Sequence, residues 1–232
     1  MNEAQILLVT AASIAFLHTI LGPDHYVVFT AMGKAHGWSL AKTLRVTFLC
    51  GVGHVLSSVV IGGVGIVLGA QLVSLTAIEG MRGSLAGWAL LAFGLMYFAW
   101  GLKKAGRGYS HSHVHVHEGL AHDHQHDHRS DHSHVHRQSG KTITPWAMFI
   151  IFVLGPCEAL IPLFMYPAAR QSTSLVVAVA IVFGLVTLIT MLAAVFLTSV
   201  SIRKMPSLGR WEHAVAGASV AACGAAISFI GL

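Results

Sequence analysis

Two apolar stretches of this chain are broken by the same tripeptide, and that break limits what the chain can become. Leu21-Gly22-Pro23 lies inside a run from residue 4 to Met32, and Leu154-Gly155-Pro156 lies inside a run from Pro145 to about residue 168. A helix interior loses about 3 kcal/mol at a proline and about 1 kcal/mol at a glycine. Both runs still exceed the ~20 residues that a helix needs to cross a bilayer's hydrocarbon core. The expectation is a broken helix or a re-entrant turn within a membrane segment at each Gly-Pro.

Four further apolar runs follow the same length rule, at about residues 44–70, 84–102, 173–200 and 211–231. Only 10% of the 232 residues are Asp, Glu, Lys or Arg, against about 25% in a soluble domain. With 55% apolar residues and a mean hydropathy of +0.71, a soluble fold is excluded. The length leaves room for one membrane domain. The net charge of +5 comes without the aromatic-basic interleaving of nucleic-acid binders. Glu3 stands where a signal peptide would carry basic residues, so the first run is expected to be a retained helix. Three cysteines, Cys50, Cys157 and Cys223, form no paired framework, and Cys50 and Cys223 read as small packing residues.

The two breaks lie 133 positions apart, and the same offset carries Gly51 onto Gly184 and His54 onto Thr187. The fold class expected is therefore an all-α polytopic membrane protein. Its six transmembrane helices form two inverted three-helix repeats with Gly-Pro-broken first helices, the arrangement that places substrate sites near the bilayer midplane. The first repeat covers residues 1–102 and the second 144–232. Residues 103–143 form a His-rich loop between them. If both termini lie outside, the cytoplasmic connections hold twelve of the 14 Lys and Arg residues, and the external ones hold only Arg82 and Arg170. The positive-inside rule favours that orientation. It puts the His-rich loop in the cytoplasm and the chain in the cytoplasmic (inner) membrane.

Metal-ligand residue types gather at the breaks. His18, Asp24 and His25 flank the first; imidazole with carboxylate suits nickel, cobalt or zinc. An Asp within a membrane segment is costly and points to function. His54, in the Gly51-Val-Gly53-His54 stretch beside Ser57, is a further candidate. Glu158 follows the second break in a run from Phe152 to Phe164, and Cys157 occupies the repeat position of Asp24. Cys157 is either a soft thiolate ligand or a plain buried thiol. The loop carries His111, His113, His115, His117, His122, His124, His126, His128, His132, His134 and His136, interleaved with Asp123, Asp127 and Asp131. That density reads as metal capture, sensing or buffering, with no defined geometry.

The stretch from His18 through Gly22-Pro23-Asp24-His25, then Gly51-Val-Gly53-His54, then Gly155-Pro156-Cys157-Glu158, resembles the nickel/cobalt transporter superfamily. The likeness is closest to its urease-accessory-type permeases and its nickel-cobalt efflux proteins, which also carry a mid-chain His-rich loop. It covers most of the chain, although its specific motifs are short. The resemblance implies a secondary transporter, not an enzyme, moving Ni²⁺ or Co²⁺ (or Zn²⁺) in the export direction. It implies no prosthetic group. The expected partners are the lipid bilayer, divalent metal ions, and a second copy of the chain or a metallochaperone, with no nucleic acid.

Three other readings compete. A transmembrane thiol-disulfide relay needs two exchanging cysteines, yet the repeat equivalent of Cys157 is Asp24. An exporter of small anions or amino acids calls for Arg or helix N-termini in the core, and the sequence shows no evident buried Arg. The last is a metal sensor that does not transport.

Overall fold

The computed structural model describes residues 2–69, 71–106, 110–117, 120–127, 144–155 and 159–231. Helix α1, Glu3–Leu21, starts on a capping box in which Asn2 and Gln5 exchange side-chain and backbone bonds, satisfying two orphan donors. It stops where Gly22 and Pro23 intervene. The Gly22 N–H still donates to the His18 carbonyl at 3.0 Å, and α2, Asp24–Ala35, begins directly after the proline, whose missing N–H and fixed φ suit a helix start. Helix α2 closes with Gly37 at φ +61° and the Trp38 N–H on the Gly33 carbonyl, the 6→1 bond of a glycine-terminated helix. Ser39 then caps α3, Leu40–Val67, by accepting from the Lys42 N–H.

Helix α4 runs from Leu72 to Gly106. Helices α5, Thr144–Leu154, and α6, Leu160–Ala169, flank the second break, and α7, Thr173–Arg203, is uninterrupted. A single 3₁₀ turn at Gly209–Trp211 leads into α8, Glu212–Ile230. Among the described residues, five helical segments are long and apolar enough to cross a membrane: Glu3–Leu21, Leu40–Val67, Leu72–Gly106, Thr173–Arg203 and Gly209–Ile230.

The third apolar run is longer than the 84–102 expected. Arg82, assigned from sequence to an external connection, lies inside α4 together with Glu79, and Glu79 is fully buried. They sit one helical turn apart and pair with each other, so two charges can enter an apolar helix together. The apolar part of the chain is all-helical, and the connection adds one short hairpin to it. Strands β1, Ser110–His117, and β2, Leu120–Asp127, pair antiparallel with His111 opposite His126, His113 opposite His124 and His115 opposite His122. The His-x-His alternation has the two-residue period of a strand. His128, His132, His134 and His136 lie outside the described residues.

Burial runs opposite to that of a soluble protein. Leu17, Leu49, Leu185, Leu197 and Trp88 are exposed, while Thr19, Thr47, Ser58, Thr187, His25 and His54 are buried. Large apolar side chains thus face outward, where lipid would lie, and the polar ones face each other. Two apolar clusters frame the interior. One gathers Val28, Phe29 and Met32 of α2 with Cys50, Met191 and Val220. The other joins Ala11 and Ala15 of α1 to Leu160, Phe164 and Phe183.

Helices α4 and α8 lie antiparallel along a seam of small residues. Gly87 faces Ile227 and Ser228, Gly94 faces Ala221, and Gly101 faces Ala214, while Gly217 and Gly224 face the backbone at Phe98 and Leu91. The glycines recur every seventh residue on both helices, which keeps one face in register, and small residues let membrane helices approach closely. A Cβ on Gly94 would lie 2.3 Å from the Ala221 nitrogen. Gly94→Val is therefore expected to destabilise the chain by about 3 kcal/mol or more, since backbone must move. Gly63→Val, which meets nothing within 4 Å, should change little. Thermal denaturation of the two variants in detergent checks the contrast.

Candidate metal centre

Three histidines from three helices meet where α1 breaks. His18 is in the last turn of α1, His25 in the first turn of α2, and His54 halfway along α3. The ring centroids of His18 and His25 are 5.0 Å apart, those of His25 and His54 5.3 Å, and those of His18 and His54 6.5 Å. One nitrogen from each ring lies within 4.8 Å of the others. A tetrahedral ion bound at 2.0–2.1 Å needs nitrogens roughly 3.4 Å apart, so modest side-chain rotations close the set.

The rings are oriented from behind. His25 Nδ1 shares its proton between the Gly22 carbonyl at 3.1 Å and Asp24 Oδ1 at 3.2 Å. That fixes the tautomer and leaves the lone pair on Nε2. His54 Nδ1–H donates to the Phe152 carbonyl at 3.2 Å, with the same consequence. The Nε2 atoms of His18 and His25 are buried and have no hydrogen-bond partner among the described residues. Buried polar atoms normally find partners. Two inward-facing imidazole lone pairs of this kind are the groups that could accept a cation.

Asp24, read from sequence as a ligand, stands behind His25 and is not one of the gathered ligand atoms. A carboxylate in that place orients a ligating imidazole and raises its basicity, and losing such a partner typically costs 10- to 100-fold in metal affinity. Asp24→Ala is expected to weaken Ni²⁺ binding by that factor, measured by competition against a chelator of known affinity. The break itself is sterically fitted to this arrangement. A Cβ on Gly22 would lie 2.6 Å from His25 Nδ1, so an alanine there would push the ring aside.

The second break borders the same place. Gly155 approaches His54 so closely that a Cβ would lie 3.1 Å from Nδ1. Cys157 and Glu158 lie outside the described residues. Thr187, the repeat counterpart of His54, is fully buried in α7. A cavity of about 590 Å³ touches His18, Asp24, His25 and His54 and continues past Ser84 to Ser228.

Beside the triad sits a buried network that sequence reasoning missed. The Arg82 guanidinium pairs with Glu79 and donates to Ser57 Oγ at 2.7 Å and Ser58 Oγ at 3.2 Å. It also donates to the carbonyls of Val153 at 2.7 Å and Gly155 at 3.3 Å. Ser58 in turn donates to Glu79 Oε2. The core thus does hold an arginine, contrary to the sequence expectation. Its charge is met by Glu79, and it serves as a cap on the last carbonyls of α5, where a cation complements the helix dipole. The available signal was the Glu-x-x-Arg spacing, which puts opposite charges on one helical face.

No protein-family model matches this chain, and searches of curated proteins and of solved structures return no match.

Proposed function

We propose that the chain is a secondary transporter of divalent transition-metal ions, Ni²⁺ or Co²⁺, working in the export direction. The observation that carries this reading is the convergence of His18, His25 and His54 inside a bundle of membrane-length apolar helices, with two imidazole nitrogens buried and unpartnered among the described residues. Neutral imidazoles suit nickel, cobalt, copper and zinc. The nearby Asp24 carboxylate supplies negative charge against the cargo's double positive charge. The same donor set would hold Zn²⁺.

The six-span inverted repeat is part of this proposal. Taking α1 with α2, and α5 with α6, as single broken spans gives three per half. Contacts between elements come in equivalent pairs: α1 with α7 as α3 with α5, and α2 with α8 as α4 with α6. Antiparallel packing of α4 on α8 supports opposite orientations for the halves. Gly51 against Leu188 and Gly184 against Val55 support the same for α3 and α7. Lys34 bonded to the Ile202 carbonyl and Arg203 to that of Trp38 bring basic residues together at one end, which we take as cytoplasmic.

The test is Ni²⁺ and Co²⁺ flux into proteoliposomes under several imposed gradients. Saturable flux is expected from the full chain. Deletion of residues 111–136 should leave flux measurable, at about a third or more of the full chain's, because the His-rich segment captures ions and the triad carries them. Absence of flux from well-folded protein would overturn the reading. Flux lost only with the deletion would move the site into the loop.

A further inference from the structure

A second set of imidazoles lies at the other end of α2. His36 caps that helix, eleven residues and so about 17 Å beyond His25 along the axis. His213, in the first turn of α8, stands across from it, with ring centroids 5.9 Å apart. Tyr97 of α4 lies between them, its hydroxyl 2.7 Å from His213 Nδ1 and 3.5 Å from His36 Nδ1.

The protons can be placed. The Lys104 ammonium lies 2.8 Å from His213 Nε2. An ammonium only donates, so Nε2 carries the lone pair and Nδ1–H donates to the Tyr97 oxygen. His36 Nδ1–H donates to the Met32 carbonyl at 3.0 Å. Its Nε2 lone pair therefore accepts from Thr144 Oγ1 at 3.4 Å. Burial above all, with the charges of Lys42 and Lys104 adding to it, pushes His36 below the ordinary imidazole range. Both rings thus present neutral lone pairs, and one already holds a cation.

The groups also flank the His-rich segment. Lys104 lies two residues before the end of α4, and Thr144 is the first residue of α5. The whole segment between the two repeats leaves and returns beside these rings.

We propose that His36 and His213, with Tyr97 set against their Nδ1 atoms as a positioning group, form a second binding station for a divalent transition-metal ion, between the His-rich segment and the central triad. In this station the Lys104 ammonium is the resident cation that the metal displaces. Two imidazoles ligating one ion at 2.0–2.1 Å hold their ring centroids roughly 5 to 6 Å apart; the rings are already at 5.9 Å, and side-chain rotation brings the two Nε2 atoms round to one ion. The proton count balances simply. The ion takes the two Nε2 lone pairs, Lys104 leaves still protonated, and Tyr97 turns within its hydrogen bond. Expelling one positive charge as two arrive limits electrostatic repulsion, which would otherwise oppose loading. The cargo assigned to this station rests on the transport reading, but binding does not.

Trp100 gives a local probe, because its ring lies 4.9 Å from His213 and paramagnetic Ni²⁺ quenches a nearby indole. The experiment titrates Ni²⁺ into the full chain in detergent and follows the fluorescence that Trp100→Phe removes. His213→Ala should raise the half-quenching concentration about tenfold. Lys104→Met should lower it about tenfold, a gain that misfolding does not produce. Simultaneous replacement of His18, His25 and His54 by Ala should leave it unchanged. In proteoliposomes, His213→Ala should raise the half-saturating Ni²⁺ concentration with little change in maximal rate. Equal half-quenching concentrations in the full chain, His213→Ala and Lys104→Met would overturn the station even where flux is intact. The expected quenching pattern with no flux in any chain would instead keep the station and overturn the transport reading.

Discussion

Proteoliposomes carrying His25→Ala are expected to move Ni²⁺ and Co²⁺ no faster than empty vesicles, a loss of at least about 100-fold. His25 is the hinge of the triad, within 5.0 Å of His18 and 5.3 Å of His54 by ring centroids, whereas the outer pair are 6.5 Å apart. Removing it takes away one of the three imidazoles and leaves the more widely spaced pair. It also leaves Asp24 facing a vacated ring position. Loss of an orienting partner alone costs 10- to 100-fold, and loss of a ligand costs at least as much. The helix should survive, because α2 is held by Val28, Phe29 and Met32 in the apolar cluster. Size-exclusion chromatography establishes folding before flux is read. His25→Ala retaining more than about a tenth of the original flux would remove the triad from the transport path.

The largest expected effect on stability comes from Arg82→Leu. It would remove the counter-charge of the fully buried Glu79 and the donor to the Val153 and Gly155 carbonyls. Breaking a buried ion pair by removing one partner costs about 3 to 5 kcal/mol, and each orphaned acceptor adds about 1 to 3 kcal/mol. That total is comparable to the whole stability of many domains, so little folded Arg82→Leu chain should be recovered. Replacing both partners by leucine removes the buried negative charge as well and should restore part of the yield. Recovery of monodisperse protein and thermal unfolding in detergent distinguish the three chains. An Arg82→Leu chain as stable as the original would mean that the network carries no structural weight.

Much of this architecture is legible in the sequence, because its strongest signals are local. Length and apolarity mark membrane segments, and Gly22-Pro23 marks where α1 must stop. His18, His25 and His54 could be named from residue type and from their closeness to that break. Their convergence depends on how α3 packs, which no local rule supplies. Asp24 shows the limit well. Its type and place suggest a ligand, and only the geometry puts it behind His25. Glu79 and Arg82 were misread because charge usually marks a connection, and pairing overrides that rule when two helices supply Ser57, Ser58 and two carbonyls. His36, Tyr97 and His213 are 61 or more residues apart in sequence and carry no motif. The seam of α4 on α8 was hidden in plain spacing, since a seventh-residue glycine repeat has meaning only once its partner helix is known.

Among the described residues, the three candidate ligands all come from the first half of the chain, while the second half supplies Phe152 and Gly155 at their edge. In the proposed reading the scaffold is paired and the load is lopsided. If one half swings against the other, the ion rides with its three imidazoles as a passenger in a single carriage, and the other half acts as the door. Turnover then requires no exchange of nitrogen ligands in mid-crossing. The barrier to release would be set by how water reaches the ion once Phe152 moves away, so the size of that one ring becomes a natural dial for speed.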